Sequence, residues 1–198
     1  MIEEYLLIQY GAKEVLYDKN EIIFEIGSAP KRFYQVVSGE IKMNNYNEDG
    51  KEFTQGIFSA GRSFGEPPLF GDFKYPANAI AITPVLVLQL SKASFFKLLN
   101  ENPEISLEIN SVFAKRLYYK AIMAAEISTQ DAGHRILTFI DYLKEKIYKI
   151  SGTHTFEVDL TRQQIADLTG LRVETVIRTV KKLAESSDIK IVKHKIFR

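Results

Sequence analysis

The stretch LTRQQIADLTGLRVETVIRTVKKL, residues 160 to 183, gathers the side chains with the clearest chemical purpose. Glu174, Arg178, Lys181 and Lys182 recur at helical spacing, opposite Val176, Val180 and Leu183, which step by four and then three. A basic outer face of this kind suits a polyanionic partner. A second stretch, FGEPPLFGDFKYPANAI, residues 64 to 80, packs Pro67 and Pro68 into a turn of the kind that holds a ligand. Neither proline has a backbone N–H, so this turn is poor in donors for an anion. Catalytic chemistry is badly served by the rest of the chain. There is no Gly-rich phosphate loop, metal-ligand cluster or nucleophile elbow, and three histidines, His134, His154 and His194, leave no Ser-His-Asp set. The absence of cysteine excludes disulfides, Cys-type zinc sites and iron-sulfur clusters. The composition therefore points away from an enzyme and carries no sign of a cofactor.

The elements that must position the basic face can be read on either side of it. Thr161 followed by Gln164 forms a capping box that opens a helix with Ile165, Ala166 and Leu168 inward. Gly170 allows the left-handed residue that stops it. After a turn through Leu171 and Arg172, the second helix carries the basic face. Two short helices around a glycine turn fit a helix-turn-helix, whose second helix enters the major groove of DNA. The final DIKIVKHKIFR supplies two short strands for a wing. From Leu160 onward nine Lys or Arg stand against four Asp or Glu, a net of +5, while the preceding residues hold 17 basic and 21 acidic side chains. The result is a basic C-terminal module on a mildly acidic body.

Upstream the period changes. Between residues 14 and 90, runs such as EIIFEIG, RFYQVVSGEIKM, EFTQGIF and AITPVLVLQL alternate with turn-rich breaks, which suits an antiparallel sandwich or roll. Asp49-Gly50 is a hairpin signal. SKASFFKLLNENP reads as a short helix, and from Pro103 a long one runs to about Ser128 without a breaker. Ile105, Ile109, Val112, Phe113, Leu117, Ala124 and Ile127 give it a wide apolar stripe. One roll cannot cover both flanks of such a helix, so a homodimer through this segment is expected. ISTQD, residues 127 to 131, makes a hinge, and Asp131 caps a further helix, AGHRILTFIDYLKEKI, with Ile136, Leu137, Ile140 and Leu143 on one face. The acidic start MIEEYLLIQYGAKE does not resemble a signal peptide, and no long apolar run occurs, so a soluble cytoplasmic protein without membrane contact is expected.

Three features together carry a resemblance: the glycine framework Gly27, Gly39, Gly50, Gly61 and Gly65, the GExxL turn as Gly65, Glu66 and Leu69, and TRQxIAxxxGxxxETVxR from Thr161 to Arg178. On them the sequence resembles the CRP/FNR family of bacterial transcription regulators over nearly its whole length. The resemblance implies an α+β fold: an N-terminal antiparallel β-roll (double-stranded β-helix, jelly-roll-like) over residues 1–102, a dimerisation helix and hinge over 103–130, and a winged helix-turn-helix DNA-binding domain over 131–198. It implies a cyclic-nucleotide-binding-like domain, a palindromic double-stranded operator and RNA polymerase as a partner. Glu174 and Arg178 correspond to the base-reading pair. They lie four residues apart, an Arg fork matches guanine O6 and N7, and a carboxylate accepts from cytosine N4. Each can also hold the other's rotamer. Val173 and Ile177, apolar and one turn apart, can meet thymine methyls. Thr161, Arg162 and Gln163 correspond to the family's DNA-backbone contacts, with Arg172 and Lys181 as further ones. Arg172 stands where the family has a capping Ser or Thr, so a cap is lost there.

The family's cyclic-nucleotide branch binds its ligand with Glu to the ribose, an Arg-Ser pair to the phosphate and a Thr on the dimer helix to the base. Here Glu66 remains, the Arg-Ser pair falls on Pro76 and Ala77, and the Thr falls on Lys120. Each lost charge-assisted bond is worth about 1.5 to 3 kcal/mol, so cyclic AMP in the usual pose is not expected. The effector-pocket candidates are Gly65, Glu66, Leu69, Pro76, Ala77, Arg116, Tyr119 and Lys120, where the two cations and the walls Tyr118 and Tyr119 suit a small acidic metabolite. Haem is unsupported, since all three histidines lie beyond the long helix. Two other readings stay open: an effector-free module that binds protein, and a cyclic-nucleotide-responsive regulator with an altered pocket.

Overall fold

The computed structural model describes residues 2–46, 50, 52–128 and 131–198. The chain divides into two compact units, Met1–Phe113 and Ala114–Arg198, with the division falling inside the long helix.

In the N-terminal unit, a short helix α1 (Glu4–Gln9) precedes eight strands: β1 (Lys13–Tyr17), β2 (Ile22–Phe24), β3 (Arg32–Ser38), β4 (Glu40–Tyr46), β5 (Glu52–Ser59), β6 (Ser63–Phe64), β7 (Asn78–Ala81) and β8 (Val85–Ser91). They form two antiparallel four-stranded sheets, ordered β1-β8-β3-β6 and β2-β7-β4-β5. β3 and β8 are buried on both faces. Tyr34 and Val36 with Val85 and Val87 point into the roll, while Phe33, Leu88 and Leu90 meet the helices behind it. That double burial explains why RFYQVV and VLVLQL read as near-continuous apolar runs. The single run AITPVLVLQL is two strands, because Pro84 cannot donate to a ladder and breaks it. The PPLFG stretch, read as a turn, is the helix α2 (Pro67–Gly71), with Pro67 at its first position where a missing N–H is harmless. β4 and β5 pair as a hairpin from Tyr46↔Glu52 onward, and the Asp49 of the expected hairpin turn lies outside the described residues.

Behind the first sheet lie α1, α3 (Lys92–Glu101) and the first turns of α4 (Pro103–Ser128). Ser91 caps α3 by accepting from the Ser94 N–H at 3.1 Å. The apolar stripe of α4 does not stay whole. Ile105 and Ile109 are buried in this unit's own core with Phe113 packed beside them, Val112 is half-buried, Leu117 and Ala124 are exposed, and the Ile127 side chain lies outside the described residues. A second exposed row, Leu107, Asn110, Ala114, Leu117, Ala121 and Ala124, recurs at alternating steps of three and four.

The C-terminal unit holds the rest of α4, then α5 (Ala132–Asp141), a π-helical turn (Tyr142–Ile147), β9 (Glu157–Val158), α6 (Arg162–Thr169), α7 (Val173–Glu185), β10 (Lys190–Val192) and β11 (Lys195–Phe197). Asp131 caps α5 through the Gly133 N–H at 2.9 Å. The helix anticipated through Ile147 widens after Asp141, where the Tyr148 N–H reaches the Leu143 carbonyl and the buried Lys144 ammonium donates to the Gly152 carbonyl. Ile136, Phe139, Ile140, Ile165, Val176, Val180 and Ile196 close one core, into which Tyr119 and Met123 of α4 also pack. Two of the hinge residues, 129 and 130, lie outside the described residues. Among the described residues no helix is long and apolar enough to cross a membrane.

Candidate nucleic-acid interface

The helix-turn-helix is built as its capping pattern requires. The Thr161 hydroxyl accepts from the Gln164 N–H at 3.1 Å, and the Gln164 amide oxygen accepts from the Thr161 N–H at 2.8 Å. Gly170, with φ +70°, ends α6, and the Leu171 N–H returns to the Ala166 carbonyl at 3.0 Å. The half-buried Leu168 and the buried Ile165 and Ala166 face the core. α7 starts from Arg172, an extended residue whose side chain makes no capping bond. Val176, Val180 and Leu183 are buried beneath it.

The opposite face of α7 is open. Glu174, Ile177, Arg178, Lys181 and Lys182 are all exposed. The expected rotamer-fixing contact between Glu174 and Arg178 is absent among the described residues, so both heads stand in solvent. Val173 is half-buried against the core, which leaves Ile177 as the exposed apolar side chain of this face. At the start of α6, Thr161 and Gln163 are exposed, and Gln163 donates to Asp167 at 2.7 Å. Arg162 is half-buried, and its guanidinium donates to the His194 carbonyl at 3.3 Å. Partial desolvation pulls its pKa below the ordinary arginine value.

The wing is a three-stranded sheet ordered β10-β11-β9, one strand more than the sequence suggested. Val192 pairs with Lys195 across a two-residue loop in which Lys193 and His194 both have positive φ, 45° and 66°. These are the left-handed values of a primed hairpin turn, adopted here without glycine or asparagine. Lys195 bridges Glu157 at 2.8 Å and Asp159 at 3.2 Å, which raises its pKa. Lys190 and Lys193 are exposed and form no ion pair with a described residue. Sequence reasoning passed over these two lysines, although KIVKHKIF displays them around a turn.

The effector-pocket candidates fall in both units. In the roll, Glu66 is buried at the N-cap of α2, Leu69 and Ala77 are buried in core, and Pro76 is exposed. Gly65 has φ +71°, and a Cβ there would lie 2.9 Å from the Phe24 ring and 3.2 Å from Tyr75. Phe24 and Tyr75 stack with centroids 3.8 Å apart, so the protein's own aromatic rings cover the glycine of the GExxL turn. Burial raises the Tyr75 pKa, and the neighbouring Tyr34 and the Glu66 carboxylate push it the same way. Arg116, Tyr119 and Lys120 belong to the C-terminal unit. Lys120 is exposed and Arg116 half-buried, whereas the Tyr119 ring packs against Phe139 and Tyr142 at 6.4 and 4.7 Å between centroids. Among the described residues no group of three or more His, Asp or Glu could hold a metal ion.

A β-roll followed by a winged helix-turn-helix with a basic, open second helix defines a DNA-binding transcription regulator. A cyclic nucleotide-binding domain model matches residues 14–102, and a Crp-like helix-turn-helix model matches residues 134–197. The chain belongs to the CRP/FNR family of transcription regulators. It is 27% identical to the nitrogen fixation regulation protein FixK of Bradyrhizobium diazoefficiens, over 93% of this chain and 77% of that one. It is 28% identical to the global nitrogen regulator of a Nostoc species, over 91% and 82%. The fold matches the solved structure of CooA from Carboxydothermus hydrogenoformans, in a mutant form, with a TM-score of 0.80 at 19% identity, covering 99% of this chain and 87% of that one. FixK2 from Bradyrhizobium japonicum gives 0.74 at 21%, covering 94% and 91%. The relatives are transcription regulators, not enzymes.

Proposed function

We propose that this protein is a cytoplasmic, homodimeric regulator that reads a palindromic operator through α7 without cyclic AMP in the roll. The observation that carries the reading is the two-sided character of α7: Val176, Val180 and Leu183 are buried, while Glu174, Ile177, Arg178, Lys181 and Lys182 are open. Arg178 and Glu174 supply base-edge hydrogen bonds, Ile177 meets a thymine methyl, and Lys181 meets phosphate. Half-sites with a G and A core flanked by T, centred about 10 base pairs apart, are the expected operator.

The second copy covers the exposed row on α4. Leu107 and Leu117 are 71% and 70% exposed, and the alanines between and beyond them let two helices approach closely. RNA polymerase is the further partner, on the family resemblance. The roll lacks a cation at Pro76 and Ala77, and Phe24 and Tyr75 sit over Gly65, which supports a turn that does not take a nucleotide phosphate.

Selection of binding sites from a random duplex pool by the ligand-free protein tests the reading. A T-flanked palindrome is expected, and GC-rich half-sites would refute the assignment of Ile177. Sedimentation as a monomer at micromolar concentration would remove the dimer, and calorimetric binding of cyclic AMP at micromolar concentration would remove the claim about the roll.

A further inference from the structure

We infer that Arg162 serves DNA binding as a positioning residue: it holds the wing turn so that Lys193 meets a phosphate, and does not itself contact the duplex. The inference rests on the DNA-binding reading of the winged unit. The wing turn has a conformational difficulty, since two consecutive non-glycine residues sit at φ 45° and 66°. Such residues persist only when surrounding structure holds them. The hairpin ladder closes the loop at Val192↔Lys195, but the His194 carbonyl lies inside the loop and has no partner in the ladder. Arg162 satisfies that carbonyl at 3.3 Å.

The neighbouring side chains sharpen the assignment. At the start of α6, Thr161 and Gln163 are open, but Arg162 is half-buried and turned to the wing. Of the wing lysines, Lys195 is held by Glu157 and Asp159, and Lys190 lies on β10 away from the loop. Lys193, exposed at the tip and free of ion pairs with described residues, is the cation that the turn presents.

Two readouts on the intact protein test this: amide hydrogen exchange of residues 192–195 without DNA, and the salt dependence of binding to a nonspecific duplex. Removing one lysine–phosphate pairing makes the slope of log K against log salt shallower by about 0.9. Arg162→Met keeps the aliphatic stem and removes the donor, and should raise exchange in the turn by about fivefold. In the dimer each substitution occurs twice, so Arg162→Met, Lys193→Ala and the double variant should each reduce the slope by about 1.8, with no further reduction in the double. An additive reduction of about 3.6 in the double variant with unchanged exchange would make Arg162 a direct phosphate ligand. No change in Arg162→Met by either readout would remove its role altogether. Should that variant fail to fold, Lys193→Ala alone still decides: an unchanged slope eliminates the phosphate pairing that Arg162 is said to place. A wild-type protein that binds no duplex would strike the DNA-binding reading instead.

Discussion

Replacing Arg198 by alanine should destabilise the C-terminal unit. The guanidinium makes a fork with Asp141 at 2.7 and 2.8 Å and donates a third bond to the Asp188 carbonyl at 2.6 Å. Its backbone pairs with Phe156 in both directions, so the side chain joins the wing sheet, the end of α5 and the loop after α7. Both ionic side chains are partly open, 27% and 33% exposed, so solvent screening brings the fork to about 1 to 2 kcal/mol, and the Asp188 bond adds about 1. A loss of about 2 to 3 kcal/mol lowers the melting temperature of a unit this size by roughly 10 to 20 °C. Arg198→Lys keeps one donor of the fork and should recover less than half of that loss. Asp141 raises the guanidinium pKa above its ordinary value, so the guanidinium's contribution is fully present below the unfolded-state value and stays constant between about pH 7 and pH 10. Thermal melts by circular dichroism read the effect, with Asp141→Asn and the double variant completing a cycle. An Arg198→Ala melt within about 2 °C of wild type, or a cycle with no coupling energy, would refute this account of how the wing is tied down.

Arg178→Ala should weaken operator binding by about 1 to 3 kcal/mol per half-site and relax preference at a single base pair in each, measured by competition among operator variants. Gly39→Ala should unfold the roll preferentially, because φ is +82° and the new Cβ would lie 2.3 Å from the Pro84 carbonyl oxygen. Strain and poorer packing there amount to about 3 to 5 kcal/mol, and urea titration of the N-terminal unit should show it. The roll should lose stability above about pH 10, by up to about 1.4 kcal/mol per pH unit from Tyr75 alone. The sign follows from its raised pKa: the contribution is full below the unfolded value and disappears as the pH climbs through the folded one. Tyr75→Phe should flatten this alkaline limb in a pH series of urea midpoints.

Local patterns reached the winged unit almost intact, since the Thr161 capping box, the Gly170 stop and the burial of Val176, Val180 and Leu183 are set by neighbours within a few residues. The roll's strands are legible where Pro, Gly and Asn cluster at their breaks, but two runs each fuse a pair of strands, β3 with β4 across Gly39 and β7 with β8 across Pro84. Periodicity also merged two faces of α4. Apolar residues alone cannot say that Ile105 and Ile109 turn toward their own unit while Leu107 and Leu117 turn outward, because that depends on where α3 and β8 pack. At the candidate interface, the residue types of α7 were legible, but the partner of Arg162 was not. Its acceptor is a backbone carbonyl 32 positions away, and a carbonyl leaves no trace in a sequence. The stacking of Phe24 and Tyr75 over Gly65 is likewise a long-range event that only the folded roll reveals.

The strand order β1-β8-β3-β6 has a consequence for biosynthesis. β8, the partner of both β1 and β3, is the last strand of the roll to be made. Until Ser91 leaves the ribosome, β1 has no neighbour and β3 lacks its longest pairing, so the first sheet waits while the β4–β5 hairpin can already form. In the winged unit the α6–α7 pair can form early, but the wing sheet likewise waits for β11, the partner of both β9 and β10. Nascent chains arrested before residue 91 should therefore expose the aromatic side chains of β2 and β3 and be the species most open to chaperone capture, whereas chains arrested well beyond it should resist protease across the whole roll.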